Sequence, residues 1–281
     1  MTESPAPRYT SRIIKASALL ADARLLLAEW DLSRPVAHNL EDARRRNIFG
    51  KASRQRVEDI LIIFRQRYFD DPDVGAALVA LAQGHAPGGW LDPLLYFFAA
   101  QNDCILRDLV VDLIYTRQLA GFGDLPVEVV MRTIRQWVAN GQTASAWGER
   151  TVLRVAQNAL AALRDFGVLQ GAVHKRIAPM YLPIPAFAMV ALWLHRRQLS
   201  GERVLHSDEW KLFLLPVEGV ERFFIEAHQA HLLTYFAAGS VVRLEFPATN
   251  LREYAHVLLE RAHQDAGSRS EGLADAARHL P

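Results

Sequence analysis

Cysteine is nearly absent from this sequence: 281 residues hold one, Cys104, in an apolar run. A single thiol excludes a disulfide framework and a cysteine-ligated metal centre, and it fits a reducing cytoplasm. Net charge is nearly absent too. Lys and Arg total 32 against 31 Asp and Glu, so a surface for a polyanion has to come from local clustering and not from bulk charge. There is no phosphate-binding glycine loop, nucleophile elbow, HExxH pair or cysteine–histidine cluster. That disfavours an enzyme and leaves open only scattered carboxylates assembling into a nuclease-like site in three dimensions. Residues 1–12 lack the apolar core of a signal peptide and read as a mature start. Residues 177–194 are uncharged for about the length of a membrane span, but Pro179, Pro183 and Pro185 cut that run, leaving a helix from Ala186 too short to cross a bilayer.

About half of the residues are apolar, enough for a well-packed core in one large or a few small domains. Their spacing predicts a mainly α protein. Residues 16–31 carry Leu19, Leu20, Ala23, Leu26, Leu27 and Trp30 on one wide face, which predicts one continuous helix. Pro35 opens a second, and the run Arg44-Arg45-Arg46-Asn47-Ile48-Phe49-Gly50-Lys51 is read as a basic loop that ends it. Ser53 is the expected N-cap of a helix over 54–69. Lys51, Arg54 and Arg56 crowd the positive end of that helix dipole, where acidic residues are normally favoured, so a bound phosphate would relieve the conflict. Residues 8–67 hold thirteen basic and seven acidic side chains, an excess of six. The alternative is a solvated basic face with no ligand. Further apolar helices are expected over 72–83, 90–100 and 104–119. Asp108 and Asp112 share a helix face without a third ligand nearby, so neutralisation by Arg107 or Arg117 is favoured over a metal.

The stretch 143–179 has the order of the second half of a winged helix-turn-helix. Residues 126–139 would be its first helix, Asn140-Gly141 the turn, and 143–148 a short second helix. Thr151 would open the recognition helix, with Val152, Val155, Ala156, Ala159, Leu160 and Leu163 inward and Arg150, Arg154 and Arg164 off that stripe. Gly167 stops the helix, and Val168-Leu169 and Arg176-Ile177 flank a tight basic turn carrying Gly171 and Lys175. Such a hairpin could straddle a phosphate backbone, although a helix followed by a hairpin also occurs in domains that bind no nucleic acid. Trp137 and Trp147 are read as core. Beyond Gly201 a looser helix-then-hairpin unit follows, with strands over 232–236 and 241–246 and a closing helix over 251–261. It carries less positive charge, so a core or protein-contact role is expected there. His228 and His231 lack a third ligand for zinc.

Several stretches together resemble the BrxA family of bacterial phage-exclusion (BREX) defence systems. They are Tyr9-Thr10-Ser11-Arg12-Ile13 with Lys15, Asn47-Ile48-Phe49-Gly50-Lys51-Ala52-Ser53 with Arg56, and Trp147, Thr151 and Leu163-Arg164-Asp165-Phe166-Gly167. The resemblance implies a mostly helical, non-enzymatic cytoplasmic protein that binds double-stranded DNA through winged-helix modules beside other BREX proteins. One alternative is a protein-interaction scaffold of the defence complex, suggested by apolar helices such as residues 90–100 and by the weakly charged second hairpin unit; likeness of such proteins to the RNA-binding antitermination protein NusB keeps RNA open as another. The expected architecture is an N-terminal helical domain (8–120), a winged helix-turn-helix domain (121–200), a second winged-helix-like unit (201–262) and a mobile tail (263–281). The expected DNA contacts are Arg44, Arg45, Arg46, Lys51, Ser53, Arg54 and Arg56 in the first domain and Arg150, Thr151, Arg154, Lys175 and Arg176 in the second. No cofactor or metal is expected.

Overall fold

A computed structural model of the chain describes residues 8–87, 89–197, 200–239 and 241–278, with side chains described up to residue 264 except at Ala16. It is mainly helical, with two short antiparallel hairpins. The chain enters as an extended segment. Tyr9 bridges Thr143 through its own amide to the Gln142 carbonyl (3.0 Å) and through its carbonyl to the Ala144 amide (2.9 Å). Its ring stacks on Trp137 at 4.0 Å.

The helix expected over 16–31 is broken. Helix α1 covers Ile13–Ala16 and α2 covers Leu20–Ala28, separated by positive φ at Ser17 and Leu19. The cause is a distant side chain: the buried Arg67 guanidinium donates to the carbonyls of Ser17 (2.9 Å) and Ala18 (3.1 Å), which are therefore satisfied outside a helix. Helix α3 is Val36–Arg46, so Arg44, Arg45 and Arg46 form its last turn and not a loop. Cations there complement the negative end of the helix dipole. Asn47 ends α3 in the left-handed conformation and ties the following turn to Lys51 through its side chain, at 3.0 and 3.2 Å. Helix α4, Arg54–Tyr68, starts at the Ser53 cap as expected, the hydroxyl accepting from the Arg56 amide at 3.4 Å.

Helices α5 (Pro72–Gln83) and α6 (Leu91–Asn102) carry the central core. Residues 94–100 of α6 are all buried, so this apolar helix is interior and not a docking face. Next come α7 (Cys104–Asp108), a π-helical segment (Leu109–Ile114) and α8 (Tyr115–Leu119). Helices α9 (Val127–Ala139) and α10 (Glu149–Asp165) pack together, followed by strands β1 (Leu169–Gln170) and β2 (Arg176–Ile177). The short helix expected over 143–148 does not form. Thr143 is instead held extended against Tyr9, with its hydroxyl on the Ser145 carbonyl at 2.8 Å. Gly148, and not Thr151, is the N-cap position of α10.

Helix α11 (Ile184–His195) is buried along most of its length and starts at Pro183 and Pro185 as the prolines dictate. Then follow α12 (Gly201–Leu205), a 3₁₀ helix (Asp208–Phe213), α13 (Val217–Gln229), strands β3 (Thr234–Ala238) and β4 (Val241–Glu245), and α14 (Leu251–Arg278). The last helix runs well past Arg261, where its end was expected. Ala, Glu, Arg and Leu in that stretch supply helix propensity, which Gly267 and Gly272 lower without ending the helix. One core runs through all these elements. Phe213 stacks on Phe97 of α6 at 5.9 Å, and the Tyr96 hydroxyl donates to the Leu212 carbonyl at 2.9 Å. No helix among the described residues is long and apolar enough to cross a membrane.

Candidate nucleic-acid interface

The inner stripe of α10 is Val152, Val155, Ala156, Ala159, Leu160, Ala162 and Leu163, all buried. That fixes the rotation of the helix and turns Arg150, Leu153, Arg154 and Gln157 outward. Neither the Arg150 nor the Arg154 guanidinium has an ion pair or hydrogen bond among the described residues. Thr151 is half-buried at the same end. Glu149 is taken by Arg135 at 2.7 Å, which holds its carboxyl below the usual range and removes the one acid of the first turn from competition. Arg132, three residues before Arg135 on α9, is also exposed and unpaired among the described residues. Sequence reading passed over it, because a lone arginine on an amphipathic helix carries no distinguishing signal.

The hairpin after α10 forms where the sequence places it, Leu169 facing Ile177 and Gln170 facing Arg176. Gly171 has φ +92°, and a Cβ there would overlap the His174 carbonyl, so the turn requires glycine. A third segment went unforeseen. Asp124 bridges Arg176, with the Leu125 amide on the Lys175 carbonyl (2.9 Å) and the Ile177 amide on the Gly123 carbonyl (2.8 Å). Residues 123–125 therefore extend the hairpin on its β2 edge, a pairing too short for periodicity to betray. The Arg176 side chain is exposed and unpaired among the described residues. Lys175 is spent inside the turn, its ammonium on the carbonyls of Gly171 (2.8 Å) and Ala172. A concavity of about 550 Å³ lies between the hairpin tip, α10 and the start of α9, lined by Asp124, Glu128, Gln157, Arg164, His174 and Lys175 among others.

The N-terminal patch is electrostatically different. Arg44 pairs with Glu41 and Glu58, Arg45 with Asp42, Arg46 with Asp42 and Glu29, and Lys51 with Asp22 at 2.9 Å. Four cations thus meet five carboxylates, and the triple arginine exerts no net long-range attraction. Arg54 is the exception, exposed and without a partner among the described residues. Arg56 meets no carboxylate but donates to the Lys15 carbonyl at 2.6 Å. Arg44, Arg45, Lys51 and Arg54 still line a concavity of about 410 Å³ beside the Ser53 cap. The excess of six basic residues over 8–67 is a true count, but it does not sit on the triple arginine: pairing within the stretch leaves it unchanged, and Arg8–Asp108 and Arg24–Asp92 draw on acids outside it.

Asp108 is buried between Arg8 (2.8 Å), the Tyr9 hydroxyl (2.8 Å) and Arg107 (3.1 Å), while Arg117 goes to Asp124. The carboxylate is neutralised by Arg107 and by Arg8 from a distant part of the chain. Among the described residues no group of three His, Cys, Asp or Glu is placed to hold a metal. The His228 ring accepts the Tyr235 amide at 3.4 Å.

The family profile described as BrxA matches residues 7–191. Among solved structures, an uncharacterized protein from Magnetospirillum magneticum superimposes with a TM-score of 0.53 at 16% identity, covering 74% of this chain and all of that one. At that identity the likeness is one of fold. None of the curated proteins matches the chain.

Proposed function

The chain belongs to the BrxA family of BREX phage-defence proteins, and from that premise we propose that it is a non-enzymatic, cytoplasmic binder of double-stranded DNA. Its contacts are largely to phosphates and therefore tolerant of sequence. The observation that carries this reading is the outer face of α10, where Arg150 and Arg154 stand free of carboxylates beside a hairpin bearing a free Arg176. Helix α10 would lie in a groove as the recognition helix, and the hairpin braced by 123–125 would act as its wing. In this reading the helix-turn-helix connection is the extended segment 140–148 held by Tyr9.

Arg54 and Arg56 add phosphate contacts beside the α4 start. Arg44, Arg45, Arg46 and Lys51 contribute less, because a phosphate must displace a carboxylate already in place. Ser53 serves as the cap. If Arg54, Arg56, Arg150, Arg154 and Arg176, none of which has a carboxylate partner among the described residues, each meet one phosphate, the log–log salt slope would be about −4.5.

Gel shifts across salt test this directly. Arg150→Ala/Arg154→Ala should weaken binding at low salt and flatten the slope by about 1.8, whereas Arg44→Ala/Arg45→Ala should change the slope far less. A wild-type slope near zero, or an unchanged slope in the α10 double variant, would sink the reading. Competition with structured RNA in the same assay separates the NusB-like alternative: RNA displacing the duplex at lower concentration would favour it.

A second reading rests on β3–β4, beyond the residues matched by the family profile. Phe236 and Val241 are about 60% exposed there, which suits contact with another protein of the defence system.

A further inference from the structure

The junction of the N-terminal segment, α4 and the α6–α7 turn encloses a cleft of about 150 Å³ lined by Arg8, Thr10, Arg12, Gln66, Arg67 and Cys104, among others. This is well below the ~300 Å³ of ordinary small-molecule pockets but has room for one tetrahedral oxyanion. Three guanidiniums converge here, and their donors are not used up. Arg8 commits Nε and Nη2 to Asp108, leaving Nη1. Arg12 is exposed, meets no carboxylate, and makes a single long bond to Gln66 Oε1 at 3.5 Å. The Thr10 hydroxyl and the Gln66 amide nitrogen have no hydrogen-bond partner among the described residues. Arg67 is buried and fixed by the Ser17 and Ala18 carbonyls, so it adds a charge that cannot swing away. The one carboxylate on the wall, Asp103, accepts the Ile105 amide at 3.1 Å as the cap of α7, and burial pushes its carboxyl up against the opposing pull of Arg67 and Arg12.

We propose that this cleft binds a phosphate group, held by Arg12 and Arg8 with the Thr10 hydroxyl and the Gln66 amide completing the donor set. Planar guanidiniums offering paired N–H donors, beside a hydroxyl and an amide, match the acceptor-only surface of a phosphate. The phosphate has two possible sources with the same chemistry, a free phosphate or nucleotide and the backbone of a nucleic acid. Only the second rests on the DNA-binding reading.

Cys104, the sole cysteine, lies on the cleft wall and is part-buried, so its modification by a neutral thiol reagent reports on this site alone. With the full chain, inorganic phosphate should slow modification by about tenfold once it exceeds its Kd tenfold, while sodium chloride at equal ionic strength should not. Arg12→Ala, an exposed change, should abolish the protection, and Arg12→Lys should restore part of it. In a second arm, a short duplex replaces phosphate. Protection by duplex at concentrations that give a gel shift assigns the group to nucleic acid, and protection by phosphate alone assigns it to a free anion. No protection by either probe, or equal protection in Arg12→Ala with native circular dichroism, overturns the proposal. Because the gel shift reads α10 independently, a duplex that binds without protecting Cys104, together with no effect of phosphate, refutes the cleft and leaves the DNA-binding reading standing.

Discussion

At the scale of single residues, the buried Asp108 and the half-buried His195 invite direct tests. Asp108 is 1% exposed and collects Arg8, Arg107 and Tyr9. Burial and the neighbouring Asp108 push the Tyr9 hydroxyl well above its usual range, so it stays a donor. Asp108→Asn keeps the shape but removes the charge that two arginines share, and it should lower unfolding stability by about 2–3 kcal/mol in urea titrations. A loss below measurement error would mean that Arg8 and Arg107 find solvent as readily as the carboxylate. His195 differs in sign. Burial lowers its pKa, its Nδ1 has no partner, and its ring lies 5.4 Å from Phe246. The folded state therefore holds it neutral while the unfolded chain protonates near pH 6.5. Its stabilising contribution is complete above about pH 6.5 and is lost as pH falls from there through the lower folded pKa. The drop in Tm between pH 7 and pH 5 should be smaller in His195→Leu than in the wild type, and equal drops would assign that sensitivity to other histidines. The sequence shows both residues but not their environments: Asp108 reads as half of an Asp pair, and its true partner Arg8 lies a hundred positions away.

At the scale of elements, legibility followed the range of the interaction that decides each one. The Ser53 cap, the Pro72–Gln83 helix, the Pro183–Pro185 entry into α11 and the Leu169–Ile177 hairpin are set by neighbours in sequence, and each forms as expected. The break at residues 17–19 and the extended run at 143–148 are set by Arg67 and Tyr9 from far away, so local periodicity predicted helices that tertiary contacts override. The ion pairing of the basic patch is hidden from the sequence for the same reason. Charge counted along the chain cannot show that Lys51 meets Asp22 or that Arg46 meets Glu29. The hairpin supplies the prediction at this scale. Gly171→Ala places a Cβ against the His174 carbonyl at a φ that L residues avoid, at a cost of about 1–3 kcal/mol. If the hairpin acts as a wing, duplex affinity should fall although no charge is removed and the salt slope should be nearly unchanged. Unaltered affinity, with local disruption of the turn verified by hydrogen exchange, would take the hairpin out of the interface.

At the scale of the whole molecule, the residues beyond 191, outside the family match, are built into the core of those within it. Asp73, near the start of α5, accepts the Leu251 amide (2.9 Å) and the Arg252 amide (3.1 Å), so it caps a helix that begins 178 positions later. Helix α14 packs along α5, where a Cβ on Gly84 would meet the Leu259 side chain. Phe213 and Trp210 bury their rings against Phe97 and Phe187. Removing everything after Arg197 would uncover these faces. At about 1.5–3 kcal/mol for each large apolar side chain returned to water, a handful of such losses equals the 5–15 kcal/mol that typically holds a domain together. The truncated chain should therefore aggregate, or survive as a species that binds hydrophobic dye and melts without a cooperative transition. A soluble, cooperatively unfolding fragment that retains duplex binding would show the opposite, that the C-terminal unit is an attachment whose removal the DNA-binding part tolerates. The contacts at Asp73, Gly84 and Phe97 argue for the first outcome, and they imply that α10 is held in place partly by residues that never touch it.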